Sequence, residues 1–391
     1  MRIGPALLVF LCHGGLPAQT WTQLPDFPGT ARDDAASFSI GDHVFVGTGM
    51  EVGWGLTNDW YSYDALLGAW WPASALPASP RQYCTAATLV GQGYLFGGLD
   101  ANGPLAELWR YDPGSEQWTQ LGSLPAPGRY AAYMFAAYGS LFVCTGMLDG
   151  GVPTNELWRY DPVAQEWTQK ASLPGVARHR VCQYSGPVVL GGADINYVSL
   201  VDGYSYDALL NSWSEYPALP AARYSSSGAN GVVIGGASST TEVHNEAWLF
   251  ESSTQEWNSS AITPFAGGDR RGGVAGSYWS TNRIYYGLGS DNAMRYKDWW
   301  QLELPVGIEE RASDQTLSIT PNPAVDFVAL HLANGIARTQ LTILDGLGRI
   351  ALRSTITDGS TVDLSTLASG RYVAVAFDGE RSMRTTLIKL P

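Results

Sequence analysis

Carboxylates, phenols, an imidazole and guanidinium groups recur at one kind of place in this chain: Asp33-Asp34, Tyr83, Tyr130, Arg178-His179-Arg180 and Tyr224. Adjacent carboxylates suit general acid–base work once their surroundings drive their pKa values apart. A guanidinium clamps a carboxylate or phosphate with paired hydrogen bonds. Phenol rings, with the indole of Trp54, offer apolar faces that can stack on a sugar. Brought together, these groups would line an opening for a polar ligand. Nucleophilic, phosphate-cradling and zinc-hydrolase signatures (GxSxG, the P-loop, HExxH) do not occur in the sequence. His43, His179 and His244 fall in separate segments, and Cys84, Cys144 and Cys182 lie in apolar runs without metal-type spacing. The cysteines read as small buried hydrophobes, Asp100-Ala101-Asn102-Gly103 as a hairpin turn, and no metal or cofactor is expected.

All the candidates except Trp54 stand at or just after an Arg that returns along the chain: Arg32, Arg81, Arg129, Arg178, Arg223 and Arg271. A residue that recurs so regularly is better explained as frame, bonding nearby loop carbonyls, than as a ring of six free cations. The residues that follow it vary, so ligand specificity is expected there. Trp54, Asp100, Asp149, Tyr197, His244 and Arg295 fall in a second set of loops that a four-stranded repeat would bring to the same face.

The elements that would position these loops are written in the repeat itself. Residues 107–129, ELWRYDPGSEQWTQLGSLPAPGR, return as NELWRYDPVAQEWTQKASLPGVAR at 155–178. Aligned Trp residues occur at 21, 70, 118, 167, 213 and 257, in steps of 49, 48, 49, 46 and 44. A small-residue pair after an apolar run accompanies each copy, as in YLFGG at 94–98 and VVLGG at 188–192. With 45 Gly, 15 Trp and 20 Tyr in 391 residues, the composition favours short strands and tight turns. Four strands fit in each copy, which is the arithmetic of propeller blades. Trp21-Thr22-Gln23-Leu24 matches a fourth strand yet precedes the other three, and the last copy stops at its third. The first segment is therefore expected to complete the sixth blade and remove its open edge.

The spaced Gly-Gly, Tyr-Asp, Trp, Leu-Pro and Arg elements resemble kelch repeats over about residues 20–304. The resemblance implies an all-β chain, a six-bladed kelch-type β-propeller over 19–305. Exported propellers of this kind include sialic-acid mutarotases. That likeness would give Asp33 or Asp34 the acid–base part and Arg180 the carboxylate clamp.

The two ends read differently. Residues 1–18 combine an Arg, a short apolar run and a small-residue end, the pattern of a cleaved export signal. Residues 306–314 read as a polar linker, and 315–391 as a small C-terminal β-sandwich of alternating strands. Pro321-Asn322-Pro323, Gly348, Gly370, Tyr372 and Lys389 resemble, in order, the landmarks of the C-terminal sorting domain of type IX secretion substrates from Bacteroidetes-type bacteria. The resemblance implies delivery by the type IX machinery, handling by a sortase-like peptidase, and a secreted or cell-surface destination. A net charge of −13 argues against nucleic acid and anionic membrane as partners. A glycan or a protein is the expected ligand, and an extracellular carbohydrate-active epimerase is the alternative reading.

Overall fold

The computed structural model describes residues 20–304 except 185 and 279–281, and residues 317–390 except 333–338, 345–349 and 378–381. The export-signal segment 1–18, the linker 306–314 and Gly348 lie outside the described residues. The described chain is β throughout, apart from one 3-10 turn at Asp149–Gly151.

Besides two two-stranded ribbons at Arg32–Asp33/Met50–Glu51 and Leu99–Asp100/Gly103–Pro104, the described residues of 21–303 form six antiparallel sheets of three or four strands. In the first, Ala36–Ile40, His43–Gly47, Trp60–Asp64 and Ala69–Ala73 follow one another from the axis outward. The second strand is buried almost end to end because sheets pack on both of its faces, and its VFV core suits that setting. The Tyr-Asp turn follows from side-chain chemistry: Asp64 Oδ1 accepts the amides of Leu66 and Leu67, and Asp161 Oδ1 those of Val163 and Ala164. Each aligned Trp then ties its sheet to the one before. Indole N–H groups of Trp70, Trp118, Trp167, Trp213 and Trp257 donate to the carbonyls of Pro25, Ser74, Gly122, Ala171 and Pro217. Trp21 completes the set by donating to Thr263.

Two features close the circle. Trp21–Leu24 pairs antiparallel with Trp299–Glu303, Trp21 opposite Leu302 and Leu24 opposite Trp299. Around the axis runs a ring of six backbone hydrogen bonds, in which Asp34 donates to Gly272, Gly272 to Ser225, Ser225 to Arg180, Arg180 to Ala131, Ala131 to Tyr83 and Tyr83 back to Asp34, at 2.8–3.0 Å. All six residues have positive φ, from 50° to 62°. The bonds around the ring offset the cost that five of them bear as non-glycines.

The fourth sheet departs from the expected four strands, keeping only Val188–Leu190, Gly203–Asp207 and Ser212–Tyr216. Pro187 faces the middle strand of this sheet, its carbonyl accepting the Tyr206 amide. Among the described residues, the segment that would form the inner strand makes a single backbone bond to the sheet, from Cys182 N–H to Leu190. Gln183 instead bridges sideways to Ser227 and sends its amide to the Ala132 carbonyl. The three cysteines are free and buried, and burial pushes each thiol up to about 12.

The C-terminal residues form two antiparallel sheets over one core that includes Val328, Leu330, Leu341, Ile343, Ala374 and Leu387. Several motif residues converge at one end of it. Asn322 Oδ1 accepts the amide of Ile388, Ala324 pairs with the last strand, Gly370 lies opposite Lys389, and the Tyr372 hydroxyl donates to Ala368.

Candidate functional site at the mouth of the channel

The recurring Arg side chains turn inward, away from solvent. Arg32, Arg81, Arg129, Arg178, Arg223 and Arg270 are buried, and each pairs with an acid at the start of its own blade's third strand. The partners are Asp59, Glu107, Glu156, Asp202, Glu246 and Asp298, at 2.5–3.2 Å. Several also bond carbonyls of their own loop, as Arg178 does with Val176 and Gly191. In the sixth blade the frame position belongs to Arg270, which corrects the expectation for Arg271. Two arginines stand side by side there, and spacing alone could not rank them. The acidic partner was visible as the Glu of NELW, one residue before each third strand.

Immediately beyond the frame lies the mouth. Asp33 is 1% exposed and sits between two arginines, with Arg295 Nε 2.6 Å and Arg271 Nη1 3.7 Å from its carboxylate oxygens. Arg271 Nη1 is also 3.7 Å from Asp34 Oδ2, a buried oxygen with no hydrogen-bond partner among the described residues. Arg180 donates to the Tyr83 hydroxyl at 2.7 Å, and Tyr83 packs on Tyr130 with ring centroids 5.7 Å apart. On the rim, Arg295 lies over Trp54 at 4.8 Å and Arg180 near Tyr197 at 5.9 Å. Three guanidinium groups thus face two carboxylates at the centre of the opening.

Burial, and then the neighbouring charge of Asp33, push the Asp34 carboxyl up to about 6, against the opposing pull of Arg180 and Arg271. Burial also holds Tyr83 well above the usual phenol range, so it stays protonated. Beneath the mouth the channel narrows to a cavity of about 50 Å³ bounded by Asp34, Tyr83, Arg180, Ser225 and Gly272. That space suits water, not a sugar ring. A larger ligand must rest on the mouth. Among the described residues no three His, Cys, Asp or Glu side chains gather as a metal site would require.

Of the candidates, Asp33, Asp34, Tyr83, Tyr130 and Arg180 come together, and Trp54 reaches the rim. Three do not serve as expected. Arg178 is spent on Asp202. His179 is fully buried edge-on to Tyr197 at 4.9 Å, and burial followed by the Arg180 charge lowers it to about 4, keeping it neutral. Tyr224 is buried, its hydroxyl donating to the Ser239 carbonyl. Each would carry its polar group into the wall and not into the opening. Arg271, Arg295 and Tyr197 complete the site. Their signal in the sequence was only position on the same face.

Comparison with known proteins agrees with this architecture. Residues 16–186 match the family model described as the KLHDC2/KLHL20/DRC7 Kelch-repeats domain, and residues 318–389 match the Secretion system C-terminal sorting domain. Kelch-like protein 35 of Mus musculus is 30% identical over 129 residues, 33% of this chain and 21% of that protein. N-acetylneuraminate epimerase of Shigella sonnei is 27% identical over 131 residues, 32% of this chain and 34% of that protein. The matched stretch therefore spans a fifth to a third of these relatives' length. A solved structure titled "Structure of YjhT" superposes with a TM-score of 0.62 at 16% identity, over 73% of this chain and 98% of that one. No helix among the described residues is long and apolar enough to cross a membrane. A sorting domain of this kind indicates secretion or cell-surface export. The chain joins a kelch-repeat β-propeller to a secretion-system C-terminal sorting domain.

Proposed function

We propose that this is an exported glycan-binding propeller that captures an acidic sugar at its channel mouth. The observation that carries the reading is the convergence of Arg180, Arg271 and Arg295 on Asp33 and Asp34, with Arg271 Nη1 no closer than 3.7 Å to Asp34 Oδ2. Guanidinium groups would hold the sugar carboxylate, Tyr130 and Tyr197 would pack on its ring, and Asp34 would exchange a proton with a hydroxyl. A binding screen of the full chain against acidic and neutral glycans tests this. Acidic sugars should bind, Arg180→Ala should cost tenfold or more in affinity, and Tyr130→Ala about fivefold. Preference for neutral glycans, or affinity untouched by both substitutions, would overturn it.

The titration of Asp34 gives a sign. Below pH 6 its negative charge is lost, whereas a sugar carboxylate with an ordinary pKa near ~3.5 stays ionised at pH 5. Affinity should therefore rise as pH falls from 7.5 to 5. The expected gain is about three- to tenfold, on the order of 1 kcal/mol for one screened charge. A flat profile between these pH values removes Asp34 from the site.

A second reading, epimerisation of the bound acid sugar, is favoured by one feature: a carboxyl poised near 6 beside guanidinium groups can both give and take a proton. The relatives named N-acetylneuraminate epimerase support trying that substrate first. Exchange of its anomers, followed by NMR, should then be accelerated by the protein and lost in Asp34→Asn.

The tail carries delivery. Removing residues 315–391 should leave the propeller inside the outer membrane, read by immunoblotting of cell fractions. Undiminished arrival at the surface or in the medium would refute a sorting role.

A further inference from the structure

Away from the mouth, on the opposite side of the first two blades, lies a pocket of about 430 Å³, within the size range of ligand sites. Its wall includes Phe45, Ser62 and Trp71 of the first blade, Tyr111 and Glu116 of the second, and Asp42-His43 in the turn. Two carboxylates and several aromatic rings line it, and no Lys or Arg does.

The repeat explains why the space exists. Ser62 is the middle residue of the third strand Trp60–Asp64. The matching residues of Leu108–Asp112 and Leu157–Asp161 are Arg110 and Arg159. Those guanidinium groups act on the next blade's tyrosine, opposing the upward push of burial on its phenol. Arg110 acts electrostatically on Tyr160 and Arg159 on Tyr206, while Arg283 reaches Tyr63 from a neighbouring strand. Arg159 shows how such a cation is held, bonding Ser140 Oγ at 2.9 Å and Asp161 Oδ2 at 2.8 Å. At Tyr111 the chain supplies a serine in that place. Burial, then Glu116 and Asp112, raise the Tyr111 phenol with no cation opposing them. Trp71, 53% exposed, stands where the other blades carry Thr, Ser or Asn, and adds an indole face at the entrance.

We propose that this pocket binds a guanidinium group presented from outside the chain, an arginine side chain of a peptide partner, in the place that Arg110 and Arg159 fill in the following blades. Asp42 and Glu116 would supply the charge, and Trp71 and Tyr111 the ring faces, as in other cation–aromatic sites. The pocket also contains a Ser–His–Asp contact, with His43 Nδ1 2.8 Å from Ser62 Oγ and Nε2 3.5 Å from Asp42 Oδ1. Ser62 lies mid-strand with ladders on both sides, which commits the backbone that an oxyanion site would need. The contact fixes the wall and orients His43.

The test compares two probes that differ in charge but hardly in shape, N-acetyl-arginine amide and N-acetyl-citrulline amide. Each is titrated into the full chain at pH 8 and followed by NMR of the indole N–H signals, with Trp71→Phe assigning the reporter. The arginine probe should shift the Trp71 signal saturably, and the citrulline probe should bind at least tenfold more weakly. Ser62→Arg, which restores the residue of the next two blades, should abolish binding. Should Ser62→Arg fail to fold, the paired change Asp42→Asn with Glu116→Gln at the solvent-facing acids should weaken binding at least tenfold. Equal binding of the two probes, no Trp71 response, or binding unchanged in these variants would overturn the proposal.

Discussion

Asp202→Ala is expected to destabilise the propeller by about 3–5 kcal/mol, and Arg178→Met by only about 1–2 kcal/mol. The asymmetry follows from where water can reach. The Arg178 side chain is 0% exposed and that of Asp202 38% exposed. Removing the acid leaves a guanidinium buried beside two carbonyls and the Tyr204 ring, with no counter-charge. Removing the arginine leaves a carboxylate that can hydrate, and Met replaces much of the lost volume. Burial alone would raise the Asp202 pKa, yet bonding and charge from Arg178 outweigh it and the net shift is downward. Its contribution is therefore present above the ordinary carboxylate range and lost as pH falls through the lowered value. Denaturant unfolding at pH 7 measures both variants. Equal losses would show that the pair works as packing and not as a buried charge with one wet partner.

Periodicity is a strong signal when each repeat solves the same local problem, and here most of the frame was readable for that reason. Six Trp positions predicted contacts between blades because an indole has one donor and needs one buried acceptor. Tyr-Asp predicted turns because the aspartate accepts the amides two and three residues on. The frame arginines are readable as structural; their carboxylate partners recur just as regularly but are harder to single out, since an acid beside an apolar strand looks like ordinary surface charge. What the sequence hid was direction. Asp33, Tyr130, His179 and Tyr224 occupy equivalent positions one residue after a frame arginine. Their side chains end in different places because the loops across from them differ in length and content. Tyr224 finds the Ser239 carbonyl and His179 finds Tyr197, whereas Asp33 finds two arginines. Among the described residues the fourth blade lacks its inner strand, and no single residue announces it. Pro187 turns its backbone toward the blade's third strand, where its carbonyl accepts the Tyr206 amide, and five intact copies set the expectation.

Trp21→Ala should be among the most costly single changes, about 3–5 kcal/mol, because it removes a buried indole from the joint that closes the circle. Trp21 packs edge-on against Phe265 at 4.9 Å and donates to Thr263, tying the sixth blade to the fifth as its counterparts tie the others. Its strand is the only one of the sixth blade that comes from the other end of the propeller sequence, so closure depends on a contact with high loop-closure cost. Deleting residues 20–24 should be worse than the point change. It unpairs the edge of Trp299–Glu303 and invites association with another chain through the exposed ladder. Heat denaturation together with light scattering reads both effects. A rescue separates strand position from chain order. Since Trp21 lies opposite Leu302, residues 20–24 moved behind Leu304 through a short glycine-containing turn would re-enter the same ladder as an ordinary hairpin. That rearranged chain should recover most of the lost melting temperature and stay monomeric. If it does not, the N-terminal strand contributes something other than closing the sixth blade.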